Sequence, residues 1–446
     1  MRRNSVSLGL AAAVAALTGC SQPAGNATAQ PSNAGAEGFD SQVDRNSAAL
    51  LAEGRKIFRY DTFGSEAYWG DGLKLHEAIA GAKNGGVGPG VSPKTALQLG
   101  LKVDAAALPD PVVQAIKAGK VDLDDPATTL VLLKSNAVLG VSGIFDGAGK
   151  MTSMGITCAF CHSTVDNSFA PGIGKRLDGW PNRDLNVGGI VSAAPNLKPM
   201  ADYIGVDRAT LLKVLASWGP GRYDAEVNQD LKPFRPDGKS GATLIPAAFG
   251  LAGQNLHTYT GWGSVPYWNA YVAITQMHGQ GVFFDPRLDD AKKFPVAARN
   301  HAGHIRSPSD HVTAKLAALQ YYQLSIPAPT PPAGSFDPAA AKRGQALFNG
   351  KATCATCHVP PLFSEPGWPM HTASEIGIDN FQADRSPDQR YRTTPLPGLF
   401  TRSKGGFYHD GRFADLNAVV EHYDSTKHLG LSQQEQRDLV EYLKSL

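Results

Sequence analysis

Two segments hold four of the chain's five cysteines in one repeated arrangement: Cys158-Ala159-Phe160-Cys161-His162 and Cys354-Ala355-Thr356-Cys357-His358. The spacing suits one chemistry. Two thiols three positions apart add across the two vinyl groups of a single haem, and the adjoining His offers its ring to the iron; this is the c-type attachment pattern. A zinc site would join the four thiols and leave both histidines unexplained, and a dithiol redox pair leaves them unexplained too. The reading is two covalently bound haem c groups. Cys158, Cys161, Cys354 and Cys357 are the attachment residues, and His162 and His358 are the proximal iron ligands.

Such cofactors are attached outside the cytoplasm, and the N-terminus agrees. Arg2 and Arg3 precede an apolar run from Leu8 to Leu17 that is too short to span a bilayer. It ends in Leu17-Thr18-Gly19-Cys20, which resembles a bacterial lipobox, so residues 1–20 are expected to be a signal peptide with Cys20 lipidated. Ser21 after the cysteine points to the outer membrane rather than the inner. The expected location is the periplasm, with the lipid at Cys20 as anchor. Residues 21–45 are rich in Ala, Ser, Gly, Pro, Asn and Gln and read as a flexible tether. No later stretch is long and apolar enough to cross a membrane. A net charge of +2 gives no reason to expect a nucleic-acid partner.

The attachment segments need elements to hold them, and the pattern predicts an all-α chain. It comprises two cytochrome-c-like haem domains with long loops and an N-terminal helical extension. The extension covers 46–139, with helices over Ala49–Phe58, Gly64–Ile79, Val112–Ala118 and 126–139. The first haem domain covers 140–326 and ends in an apolar helical pattern from Val312 to Leu324. The Pro-rich stretch 327–335 is a semi-rigid linker. The second haem domain, 336–446, opens with Asp337-Pro338 as cap and first turn of a helix running to Phe348. It closes with Ser432-Gln433-Gln434-Glu435, a capping box, ahead of a helix carrying Leu439, Val440, Tyr442 and Leu443.

The second domain carries a resemblance. Tyr391-Arg392-Thr393-Thr394-Pro395-Leu396-Pro397-Gly398-Leu399-Phe400, then Gly406-Phe407-Tyr408-His409-Asp410-Gly411-Arg412-Phe413, and the closing helix are similar to runs of the bacterial dihaem cytochrome c peroxidase and MauG superfamily. The first domain matches more loosely, through Trp218-Gly219-Pro220-Gly221-Arg222-Tyr223-Asp224 and Ile245 to Gly250. The wide haem spacing and the long pre-haem segment also resemble the rubber-oxygenase branch.

The resemblance implies particular partners for the irons. The classic peroxidases bind a Met fourteen residues after the His of the Tyr-x-His-Asp-Gly run; here that position is Tyr423. A Tyr there resembles the MauG branch, so Tyr423 is the candidate sixth ligand of the second haem. His409, His422, His428 and Met370 are the alternatives, and a core tyrosine is the bland reading. An aromatic relay between the haems is implied, and Trp262 is the candidate for it, with Trp268 second. The family's distal Glu is absent. The corresponding stretch reads Thr275-Gln276-Met277-His278. His278 or Gln276 is then the candidate for handling protons at the first haem, although Gln cannot carry one. His278 and Met277 are alternatively ligands, and His76 is a further distal candidate. Family members also bind Ca2+ between the haems; Asn255 is the weak candidate here.

The expected activity is reduction of hydrogen peroxide, or oxidation of another substrate, at the first haem. Electrons would pass through the second from a cytochrome c or a cupredoxin. A lipid-anchored electron carrier with two six-coordinate haems is the second possibility, and an oxygenase using dioxygen the third.

Overall fold

The computed structural model of the protein describes residues 38–446. The expected signal peptide, Cys20 and the tether up to residue 37 lie outside the described residues. By its internal contacts the chain divides between Arg45 and Asn46. The described part of the first unit is the opening of the helix Phe39–Tyr60. The site lies wholly within the second unit, Asn46–Leu446.

That unit is built mainly of short helices joined by long loops, with the strands confined to two-stranded pairs. No helix among the described residues is long and apolar enough to cross a membrane. Residues from Ile57 to Tyr322 share one hydrophobic core. The segment ahead of the first attachment motif therefore folds onto the region that follows it.

The expected helix over Gly64–Ile79 is broken in two. Its first part is a π-helical turn, Ala67–Gly72, and its second the α-helix Leu75–Ala80. Lys74 between them has φ 59°, in the left-handed region. The cause is packing. A Cβ on Gly70 would lie 1.9 Å from Ser153 Oγ, so the turn is pressed against the strand Met151–Ile156. Trp69 is held by donating from its indole to the Met277 carbonyl at 2.9 Å, more than two hundred residues away in the chain.

The strand Met151–Ile156 pairs antiparallel with Val141–Phe145. Their turn is tied by the Asp146 carboxylate, which accepts from the Ala148 and Lys150 amides at 3.0 and 2.9 Å. This hairpin carries the chain directly into Cys158.

The second region has its own core, with Phe348, Leu399, Val420, Leu439, Val440 and Tyr442 among its members. The helices Pro338–Asn349 and Gln433–Lys444 pack across it. Gly344 permits their close crossing, since a Cβ there would sit 2.0 Å from the Asp438 carbonyl oxygen. Asp337 caps the first helix through the Ala339 and Ala340 amides, and the Ser432–Glu435 capping box is formed. Arg343 grips Asp438 at 2.7 Å across the pair.

The two regions are joined by buried charge. Arg385, 1 % exposed, donates to Asp230 and Asp224, each at 2.7 Å. Arg235 pairs with Asp410 at 2.9 Å and Asp379 at 2.7 Å, and Arg412 bonds both carboxylates as well.

Candidate haem centres

The first attachment motif turns from the hairpin into a four-residue helix, Ala159–His162. Gly140, with φ 75°, lets the backbone of Phe160 approach; a Cβ there would fall 2.1 Å from Phe160 Cα. The His162 Nδ1 lies 3.1 Å from the Pro246 carbonyl oxygen. As an N–H donor to that carbonyl, Nδ1 fixes the tautomer that leaves Nε2 unprotonated, the arrangement of a metal-ligating imidazole. Burial lowers the His162 pKa to about 4, so the ring stays neutral, and raises both thiols, Cys158 and Cys161, to about 12.

The second motif repeats the device on a 3-10 turn, Cys354–Thr356. His358 Nδ1 lies 3.0 Å from the Phe363 carbonyl oxygen, again leaving Nε2 free for a metal, and burial again lowers the ring's pKa. The donor sets thus fit haem c at both motifs: two thiols at the attachment spacing and one oriented, neutral imidazole. Beside the second set, Glu365 accepts from His371 at 2.6 Å and from Thr393 at 2.5 Å. The ligand atoms of Cys357, Glu365 and His371 lie within 4.8 Å of one another. A thioether at Cys357 would remove its thiol from any separate metal site.

Tyr423 lies on the helix Leu416–Lys427, its ring 5.3 Å from that of His422 and 6.4 Å from that of Tyr408. Burial raises its pKa, and the Cys357 and Cys354 thiols push it further up, while the Tyr408 hydroxyl partly offsets this. A phenol in such surroundings keeps its proton unless a cation stands against it. The alternatives are differently engaged. His422 Nε2 is 2.8 Å from the Ile376 carbonyl. His428 is an exposed left-handed residue at the helix end. His409 is 2 % exposed and stacks on Tyr391 at 5.2 Å, its Nε2 without a hydrogen bond among the described residues. Met370 packs with its sulfur against Gly261.

The aromatic candidates lie in the first region. Trp262, 3 % exposed, meets Trp268 edge-on at 4.9 Å and Tyr267 and Tyr271 at 5.6 Å, with the Arg287 guanidinium 5.4 Å from its ring. The Trp268 indole donates to the Gly263 carbonyl at 3.1 Å.

His278 is placed elsewhere. It lies on a cleft of about 320 Å³ whose walls include Tyr68, Tyr203, Thr275 and Ile305. Tyr68 stacks on its ring at 3.7 Å and Tyr203 meets it edge-on at 5.6 Å. Both walls are built from π-helical turns, Ala67–Gly72 and Val272–Gln276, an element found disproportionately at functional sites. Burial lowers the His278 pKa to about 4 and raises those of Tyr68 and Tyr203. Gln276 is not among the cleft residues. Met277 is buried in the core, His76 bonds the Gly70 carbonyl at 3.1 Å, and Asn255 is exposed.

Sequence reasoning gave no site role to Tyr68, Tyr203 or Glu365. Tyr68 and Tyr203 meet His278 only through folding. Glu365 alone carried a local signal, seven residues beyond His358.

Two oriented histidines beside paired attachment cysteines, in a mostly helical chain, define a c-type cytochrome. The methylamine utilization protein MauG of Methylorubrum extorquens is 34 % identical over 156 residues, 30 % of this chain and 44 % of that protein. The cytochrome-c peroxidase IdrP1 of Denitromonas iodatirespirans is 31 % identical over 153 residues, 24 % of this chain and 40 % of that protein. Over these stretches the chain is similar to members of the MauG and dihaem cytochrome c peroxidase superfamily. The matches span less than half the length of these curated relatives. No family model matches. The solved structure of a MauG-like protein associated with microbial copper homeostasis aligns over 48 % of this chain and 76 % of its own, at a TM-score of 0.31 and 19 % identity.

Proposed function

We propose that this chain is an exported dihaem c-type cytochrome that reduces hydrogen peroxide, or oxidises another substrate, at the first motif and passes electrons through the second. In this reading residues 140–326 and 336–446 are the two haem domains. Cys158, Cys161, Cys354 and Cys357 attach the haems, and His162, His358 and Tyr423 are their protein ligands. The haems supply one-electron redox chemistry and activation of the oxidant. The chain's residues do the rest. His162 and His358 are held as neutral imidazoles by the Pro246 and Phe363 carbonyls. Tyr423 would be the further protein ligand of the haem at the second motif. His278, neutral because it is buried, accepts and returns a proton in the cleft, and Trp262 serves as the aromatic relay. The donor is a small cytochrome c or cupredoxin, and Cys20 carries the lipid that holds the protein to the outer membrane.

The observation that carries this reading is the pair of histidines, His162 and His358, each oriented by a backbone carbonyl beside two attachment cysteines, with His278 on a cleft in the first region. The test is to add stoichiometric peroxide to the purified oxidised protein and follow its spectrum. One high-spin haem that responds while a low-spin partner does not would support the proposal. Two low-spin haems indifferent to peroxide would leave an electron carrier.

A further inference from the structure

Four arginines surround Tyr259; Arg222 bonds the Asp410 carbonyl at 2.8 Å, and the other three, Arg183, Arg392 and Arg402, have no carboxylate partner among the described residues. Arg183 is 7 % exposed, and its Nε has no hydrogen-bond partner among the described residues. Its contacts are a long bond to the Lys404 carbonyl at 3.4 Å and the Tyr259 hydroxyl. Arg402 donates to the Pro395 and Pro397 carbonyls at 2.7 and 2.6 Å, and its buried Nε is also unpartnered among the described residues. Arg392 donates to the Thr258 carbonyl at 2.9 Å and the Gln254 side-chain oxygen at 2.6 Å. None of the three is ion-paired among the described residues, whereas Arg176, Arg235 and Arg385 each grip an aspartate. Burial pulls Arg392 and Arg402 down to about 10, helped by the charge of Arg402 on Arg392 and of Arg183 on Arg402. A buried guanidinium with only neutral partners is costly, and clustering raises that cost.

The cluster stands between the two attachment motifs. Arg183 follows Asn182, whose amide donates to the Cys161 carbonyl at 2.9 Å. The charge of Arg402 bears on His358. Trp180 and Phe400, from the two sides, meet edge-on at 5.6 Å.

We propose that Arg183, Arg392 and Arg402 around Tyr259 form a carboxylate-binding cradle that takes the propionates of the haems attached at Cys161 and Cys357, with Arg402 serving the second haem and Arg183 the first. Guanidinium groups match carboxylates in planar, two-pronged geometry. Because c-type haems are held by thioethers, loss of the cradle leaves the haems in place, and the cradle's effect is on their redox potential. A positive charge near a haem favours the reduced iron, so removing one lowers the midpoint potential.

This inference rests on the dihaem reading, and the experiment separates the two. Intact mass of the purified protein first counts covalent haems. Spectroelectrochemical titration of wild type, Arg402→Gln, Arg402→Lys and Arg183→Gln follows, in buffer with and without added phosphate. The cradle requires that Arg402→Gln lower the potential of one haem, that Arg402→Lys hold it near wild type, and that Arg183→Gln lower the other. Two covalent haems with potentials unmoved in both Gln variants would overturn the cradle and leave the dihaem reading standing. A protein without two covalent haems overturns both. Wild-type potentials that move with phosphate would assign the cluster to a free anion and overturn the propionate assignment. Arg183→Gln acts from the other side of the cluster, so failure of one variant to fold leaves the other to decide.

Discussion

Replacing Arg385 by Met should destabilise the protein more severely at neutral pH than in mild acid. Arg385 is 1 % exposed and donates to Asp230 at 2.7 and 3.1 Å, to Asp224 at 2.7 Å and to the Gly241 carbonyl at 3.1 Å. Met fills much of the volume, so the main loss is the cation. Removing one partner of a buried ion pair costs about 3–5 kcal/mol, because the other charge stays behind. Here two aspartates stay behind, with Glu226 beside them. The expected loss near pH 7.5 is therefore roughly 4 kcal/mol or more, a large share of a typical stability of ~5–15 kcal/mol. Burial already raises the Asp224 carboxyl to about 7 in the intact protein, with Arg385 opposing and Glu226 and Asp230 adding to the rise. A carboxyl raised in the folded state holds its proton more tightly there than in the unfolded chain. Its contribution to stability is thus fullest below the ordinary carboxylate range and is lost as pH climbs through about 7. Without Arg385 the rise is larger and the loss steeper. Urea unfolding followed by far-ultraviolet circular dichroism, at roughly pH 5.5 and pH 7.5, measures both quantities. Adding Asp230→Asn to Arg385→Met should return part of the lost stability. A variant within about 1 kcal/mol of wild type at the higher pH, or one equally weakened at both, would refute the reasoning.

Tyr423→Met should raise the midpoint potential of the second haem, since a thioether favours reduced iron where an anionic oxygen favours oxidised iron; an unchanged potential and spectrum would remove Tyr423 from the ligand set. Gly344→Ala should cost about 1–3 kcal/mol in urea unfolding, because its Cβ would meet the Asp438 carbonyl at 2.0 Å and the closing helices must part. His278→Ala should slow peroxide consumption by about 10²-fold or more while leaving the potential of the second haem unchanged; a rate equal to wild type would exclude His278 from proton transfer.

Much of the second region was legible because its signals are local. The Asp337 cap, the Ser432–Glu435 capping box and the Cys-x-x-Cys-His spacing each act within five consecutive residues. The helix expected over Gly64–Ile79 failed for a non-local reason: Gly70 is pressed onto Ser153, and Trp69 bonds Met277. The Val141–Ile156 hairpin lies outside the all-α expectation; its strand Met151–Ile156 is buried at all but one position, so its partners are set by packing rather than by an alternating local pattern.

The sequence alone singles out Cys158, Cys161, Cys354 and Cys357, because thioether spacing is set by covalent geometry along a few residues. The resemblance of the second region singles out Tyr423. Tertiary structure decided what surrounds those atoms. The carbonyls of Pro246 and Phe363 orient the histidines, Tyr68 reaches His278 from far upstream, and Arg183, Arg392 and Arg402 converge on Tyr259. Those groups are brought together by burial and charge acting across distant segments, which no local pattern encodes.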